Sequence, residues 1–153
     1  MKKFAITLLA LTFLILGSGR FIKNWTYQEL FDHADLVVVG MPISTQDTNE
    51  PGGPPEWPDV QWVMEVNTEF QVSVVMKGDK ALKKFTLHHY RFKDKRRPVN
   101  APNLVAFDPP FTPETSGRFL LFLKLQSDGR YAPVSGQLDP ASIDVVKLDG
   151  MAK

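Results

Sequence analysis

Residues 62–76 read WVMEVNTEFQVSVVM, and this stretch decides the fold. Apolar or β-branched side chains fall at every second position from Met64 onward, and most of the positions between them carry polar side chains. A period of two held for this length predicts one long β-strand with a buried face and a solvated face. We expect Phe70, Val72 and Val74 to point into the core. A strand this long usually contains a bend or a bulge, as in small barrels whose strands serve two sides.

Shorter signals on either side of this strand indicate a helix and further strands. Thr26 and Glu29 have the spacing of a capping box, in which the hydroxyl and the carboxylate each satisfy a free backbone N–H at a helix start. The dipeptide Asp128-Gly129 is typical of a hairpin turn. Pro133 indicates that the strand after this turn lies at an edge or ends early.

These signals predict a mostly β fold. Its elements are a short N-terminal helix over residues 26–33, a turn at residues 77–80 with Gly78 at positive φ, and strands over residues 36–41, 85–92, 118–125, 131–134 and 145–148. The strand over residues 118–125 is apolar enough to be central, so Leu121 and Leu123 are predicted to be buried. The expected architecture is a five- to six-stranded barrel or sandwich.

The first residues have the pattern of a secretory signal. Lys2 and Lys3 form a basic start, residues 4–16 are apolar except for two threonines, and small residues follow up to Gly19. We therefore expect residues 1–19 to be a signal peptide and residues 20–153 to form a single domain, exported to the periplasm or secreted. An uncleaved anchor is the alternative, although the apolar run is short for a span of roughly 20 residues. The chain has no cysteine, which excludes a lipoprotein anchor and a disulfide framework.

Charge is balanced overall and uneven along the chain. The formal net charge is +1, whereas residues 77–97 contain nine basic and two acidic residues. A nucleic-acid-binding domain usually carries a net basic charge, so the balance argues against a nucleic-acid partner. The local excess favours anionic glycans, lipid headgroups or an acidic protein instead.

The order of these elements resembles a known family. A short helix leads into ADLVVVG at residues 34–40, a long alternating strand ends in VMKGD at residues 75–79, and RFLLFLK at residues 118–124 precedes DGRY at residues 128–131. This order is similar to the OB-fold domains of the tissue-inhibitor-of-metalloproteinases and netrin-module type, including uncharacterised bacterial secreted proteins. The resemblance covers residues 25–136 and implies an OB-like barrel. It does not imply protease inhibition through an N-terminal cysteine, because this chain has none.

Two proline-rich stretches are the candidate functional loops. Residues 44–59 and residues 93–117 are longer than most loops in compact domains, and such loops are often functional. Trp57 and Trp62 at the exit of the first loop would suit stacking against a sugar or a peptide. A basic run, Arg91, Lys93, Lys95, Arg96 and Arg97, leads into the second loop, and its last three residues are candidate binding residues. The alternatives are that the tryptophans close the end of the barrel and that the basic run is a solvated strand end, partly neutralised by Glu65 and Glu69.

The sequence gives no sign of catalysis, a metal site or a cofactor. His88 and His89 are adjacent on a strand and point to opposite faces, so they do not easily share one ion, and we expect one packed and one exposed histidine. No nucleophile motif or phosphate-binding glycine loop is present. We therefore predict an exported binding or interaction module that is not an enzyme and has no membrane span after cleavage. An inhibitor of an extracellular protease and an enzyme of unrecognised type are the alternatives.

Overall fold

A computed structural model describes residues 23–48, 62–93, 104, 107, 111–112, 116–136 and 143–148. The elements in these ranges are helix α1 (Tyr27–His33) and strands β1 (Leu36–Asp47), β2 (Val63–Lys77), β3 (Lys84–Phe92), β4 (Phe119–Leu125), β5 (Tyr131–Pro133) and β6 (Val145–Lys147). The predicted signal peptide lies outside the described residues, and so does most of both proline-rich loops. Within the described part, no helix is long and apolar enough to cross a bilayer.

The strands form a small closed barrel. Their order is β1-β2-β3-β5-β4, and β4 pairs back onto β1, while β6 adds to β4. The pairing of β3 with β5 is parallel and the other pairings are antiparallel. This is a five-stranded mixed barrel with one extra strand, so the predicted OB-like architecture is confirmed.

An aromatic and aliphatic cluster fills the barrel. Phe70 is fully buried, and its ring stacks on Phe85 with centroids 5.2 Å apart. Phe107 meets Phe70 edge-on at the same distance. Leu121 and Leu123 on β4 are also fully buried, as predicted. The inner faces of β2, β3 and β4 therefore share one core.

Three register shifts in the β1–β2 pairing change which residues of β2 face the core. Val39 pairs with Val74 and Gly40 pairs with Val72, so Ser73 is an extra residue in β2. A bulge of this kind moves the following side chains to the other face. The predicted bulge is confirmed, but the prediction that Val74 is buried is wrong: 54% of Val74 is exposed, while Val72 is partly buried against the core.

Helix α1 begins and packs as the sequence predicts. The Thr26 hydroxyl accepts the backbone N–H of Glu29, and the Glu29 carboxylate accepts the backbone N–H of Thr26. These bonds, with Lys23 nearby, hold the pKa of Glu29 below its ordinary value. Leu30 packs with Val37 of β1 and Phe122 of β4, so the helix covers the seam where the barrel closes.

Asp35 links the start of β1 to β4 at this seam by hydrogen bonds. Its backbone N–H donates to the carbonyl of Leu123, and its carboxylate accepts the backbone N–H of Leu125 at 2.9 Å and the ammonium of Lys124 at 3.1 Å. The hydrogen bond from Leu125, assisted by Lys124 and Lys77, lowers the pKa of the Asp35 carboxyl. The contacts of one exposed carboxylate therefore stabilise the closure of the barrel.

Two predicted turns are confirmed. Gly78 after β2 has φ +103° and Gly129 between β4 and β5 has φ +86°, values that favour glycine. Strand β5 ends at Pro133, as predicted, although it lies between β3 and β4 and not at an edge. Residues 126–130 form the turn between β4 and β5, and they reach the site described next.

Candidate binding face

The outer surface of β2 and β3 is the candidate binding face. Because Phe70 and Leu87 point into the core, alternation along each strand places a second set of side chains on the face turned away from the core, where Glu65, His88 and Tyr90 are nevertheless buried. We call this surface the β2–β3 outer face, and its central residues are Glu65, Asn67 and Glu69 of β2 with Thr86, His88, Tyr90 and Phe92 of β3. In OB folds this face and the β1–β2 and β4–β5 loops bind extended ligands such as oligosaccharides.

The turn between β4 and β5 is bonded onto this face. The guanidinium of Arg130 donates from Nη1 to the Oδ1 of Asn67 at 2.9 Å, and from Nε to Asp128 at 2.7 Å. Hydrogen bonds from the Arg130 backbone N–H and guanidinium lower the pKa of the Asp128 carboxyl. Gln126 Oε1 lies 2.9 Å from His88 Nδ1. These hydrogen bonds hold the β4–β5 turn against one side of the face, and we call them the brace.

Glu65 and His88 lie under this brace and are almost completely buried. His88 Nε2 is 3.4 Å from Glu65 Oε2, and Thr48 donates to the same carboxylate oxygen at 3.4 Å. The His88–Glu65 contact is within ion-pair distance but lacks hydrogen-bond geometry, and His88 Nε2 has no hydrogen-bond partner among the described residues. Glu65 was expected on a solvated face, and that expectation is wrong: Glu65 is buried in contact with His88 and Thr48.

His89 points the opposite way, into the barrel. Its Nε2 lies 2.8 Å from the hydroxyl of Thr68, which in turn contacts the hydroxyl of Thr45 at 2.9 Å. The opposite orientation of the two histidines is confirmed. The expectation that one of them is exposed is wrong, since His88 is 6% and His89 1% exposed. No three metal-binding side chains come together within the described ranges.

An aromatic pair stands at the far end of the same face. The rings of Trp62 and Phe92 stack with centroids 5.5 Å apart and an angle of 22° between their planes. Trp62 is 38% exposed, and its carbonyl accepts the backbone N–H of Lys93 at 3.0 Å. Trp62 is therefore a partly exposed aromatic side chain at the point where the β1–β2 loop enters β2.

The remaining predicted site residues, Trp57 and the run Lys95, Arg96 and Arg97, lie outside the described residues. The structure places Arg91, just before that run, against Asp47 of β1. Glu69 pairs with Lys84. Glu65 faces His88. The expected neutralisation of Lys95, Arg96 and Arg97 stays a prediction, because these residues lie outside the described ones.

Sequence reasoning missed the bracing residues of this face. Gln126 and Arg130 follow or flank an ordinary hairpin signal, and nothing in their neighbourhood points to residues on β2 and β3. Gln126 and His88 are 38 positions apart, and Arg130 and Asn67 are 63 apart. Finding them requires the parallel pairing of β3 with β5.

Comparisons with known proteins give no relative for this chain. No protein-family model, no curated protein and no solved structure matches it.

Proposed function

We propose that this protein is an exported binding module, periplasmic or secreted, that holds an anionic glycan on the β2–β3 outer face and does no catalysis. The observation that supports the proposal is the stacked and partly exposed Trp62–Phe92 pair at the end of a braced OB-like face. Aromatic rings with one exposed side are suited to stacking against the apolar face of a sugar ring. The proposal keeps the OB-fold resemblance as the source of the architecture and not of an inhibitory mechanism.

The bracing contacts support binding by a rigid surface. Arg130 is held by Asn67 and Asp128, and His88 contacts Gln126, so the polar groups of the turn and the face are already oriented by one another. A surface that is ordered before binding loses less conformational entropy when a ligand arrives. This arrangement favours a binding face over a flexible loop site.

The preference for an anionic ligand comes from residues beyond the braced face. Among the described residues, Lys84 is paired with Glu69 on the face, and Arg91 is paired with Asp47 on the other side of the strands. Net attraction must therefore come from Lys95, Arg96 and Arg97, which follow β3 directly in the sequence. Trp57, in the loop that leads to Trp62, is the second stacking residue we propose.

Titration of the purified protein with heparin, a sulfated glycan, tests the proposal. Trp62→Ala should weaken binding about fivefold or more, corresponding to about 1 kcal/mol for a lost stacking contact. The triple variant with Lys95, Arg96 and Arg97 changed to alanine should weaken binding further and reduce its dependence on salt. Tyr27→Ala is the matched control, since Tyr27 is 54% exposed on helix α1.

The results distinguish an anionic glycan from an acidic protein as the ligand of this face. Undiminished heparin binding by both the Trp62 variant and the triple variant would contradict the proposal. Failure of heparin to bind, together with capture of an acidic protein that is lost in the same variants, would assign the face to a protein partner. Uncharged dextran serves as the reference ligand for stacking without charge.

A further inference from the structure

A second surface lies at the opposite end of β2, and we propose that it binds an anionic lipid surface as a peripheral contact. It comprises the bulged end of β2 and the turn into β3, residues 73–84, which we call the bulged tip. The full length of β2 separates it from Trp62. This inference does not depend on the glycan proposal.

The bulges give the tip its exposed apolar side chains. The ladder between β2 and β3 ends at Gln71, and one further backbone hydrogen bond joins the Val72 N–H to the carbonyl of Lys83, so beyond Val72 the described pairing of β2 is with β1. Ser73 and Met76 are the extra residues at two register shifts, and Val74 lies between them. Val74 is 54% exposed and Met76 52%. Two large apolar side chains thus project side by side from the end of the barrel.

Lysines outnumber acidic residues in the bulged tip. The tip contains Lys77, Lys80, Lys83 and Lys84 against the single acid Asp79, which is four positive charges minus one negative, or +3, in a chain whose net charge is +1. The Glu69 carboxylate pairs with Lys84, which leaves +2. The tip is therefore the basic end of a nearly neutral molecule.

The ammonium groups of two of these lysines are held in place by backbone carbonyls. Lys77 Nζ donates to the carbonyls of Phe31 and Asp32 at the end of helix α1, and Lys80 Nζ donates to the carbonyls of Val75 and Met76. Lys77 also helps to lower the pKa of the nearby Asp35 carboxyl, so its charge is partly offset. The Lys80 ammonium is bonded to backbone oxygens of Val75 and Met76, which keeps its positive charge beside the apolar pair. A fixed set of apolar and cationic groups is what a shallow contact with an anionic bilayer requires.

The small size of the tip and the occupied carbonyls of the β2 edge favour a lipid surface over a protein as its partner. A stable protein interface involves roughly 20–30 residues a side, whereas the tip has 12. Strand addition would need the free carbonyls of the β2 edge, and Lys80 occupies those of Val75 and Met76. A membrane contact is under neither constraint, because apolar insertion and charge attraction add up over a small area.

Co-sedimentation with lipid vesicles tests the proposal. We expect the protein to sediment with vesicles of equimolar phosphatidylcholine and phosphatidylglycerol and not with pure phosphatidylcholine, and to be released by high salt. The double variant Val74→Ser, Met76→Ser should lose this binding. Lys83→Gln should weaken it about fivefold, since each lysine near an anionic surface contributes about that factor.

The controls lie at the other end of β2. Trp62→Ser removes a similarly exposed apolar side chain, and Lys93→Gln removes an exposed lysine, so both variants should bind anionic vesicles like the parent protein. An unchanged melting temperature in the double variant shows that it folds. Equal sedimentation of the double variant and the parent would overturn the proposal, and so would the absence of vesicle binding by the parent. Capture of an acidic protein through the tip without vesicle binding would overturn it in favour of a protein partner.

Discussion

Replacing Phe70 with alanine tests the packing of the barrel most severely. Phe70 is fully buried, stacks on Phe85, and meets Phe107 and Phe119 edge-on at 5.2 and 6.4 Å. Loss of a buried phenylalanine costs about 3–5 kcal/mol, and three aromatic contacts favour the upper part of that range. Since domains of this size are stable by about 5–15 kcal/mol, the variant should lose a large part of its free energy of unfolding.

Urea unfolding followed by circular dichroism measures this loss. With an m-value of about 2 kcal/mol/M, a loss of about 4 kcal/mol lowers the midpoint by about 2 M. Val74→Ala is the matched control on the same strand, and it should cost no more than about 0.5 kcal/mol because Val74 is half exposed. Equal losses in the two variants, or a loss below about 1 kcal/mol for Phe70→Ala, would refute the bulge and the core assignment.

Three further predictions concern the seam, the turn and processing. Because the hydrogen bond from Leu125 lowers the pKa of Asp35 in the folded state, its stabilisation is present above about pH 4 and is lost as the pH falls through the lowered pKa. Asp35→Asn should cost about 0.5–1 kcal/mol at pH 7, given that the side chain is 44% exposed, and less at pH 2 in parallel urea titrations. Arg130→Ala removes the bond to Asn67 and should speed amide hydrogen exchange in residues 126–130, whereas unchanged exchange would show that the turn is held by other contacts. Mass spectrometry of protein from the native host should find a chain that starts near Arg20, and an intact first residue on cytoplasmic protein would contradict export.

Local sequence signals predicted the elements of this fold well. The Thr26–Glu29 capping box, the glycine turns and the alternation along β2 each depend on residues a few positions apart, and the structure contains all of them. The barrel architecture followed from the number and spacing of the strands. These features need no knowledge of which strands pair.

The orientation of particular side chains could not be predicted in the same way. Val74 faces outward because β1 and β2 pair with an extra residue at Ser73, and a bulge position depends on the partner strand. His88 is buried next to Gln126 of the β4–β5 turn, and Glu65 is buried in contact with His88 and with Thr48 of the residues after β1. Both facts belong to the register of distant strands, so the braced part of the candidate face was not visible in the sequence.

Backbone amide NMR during titration with a sulfated oligosaccharide tests the central claim most directly, because it locates the ligand without any substitution. We expect the largest changes in amide chemical shift at Trp62, Arg91, Phe92 and Arg130, and no change at helix α1. Shift changes concentrated on α1, or spread evenly over the barrel, would contradict binding on the β2–β3 outer face.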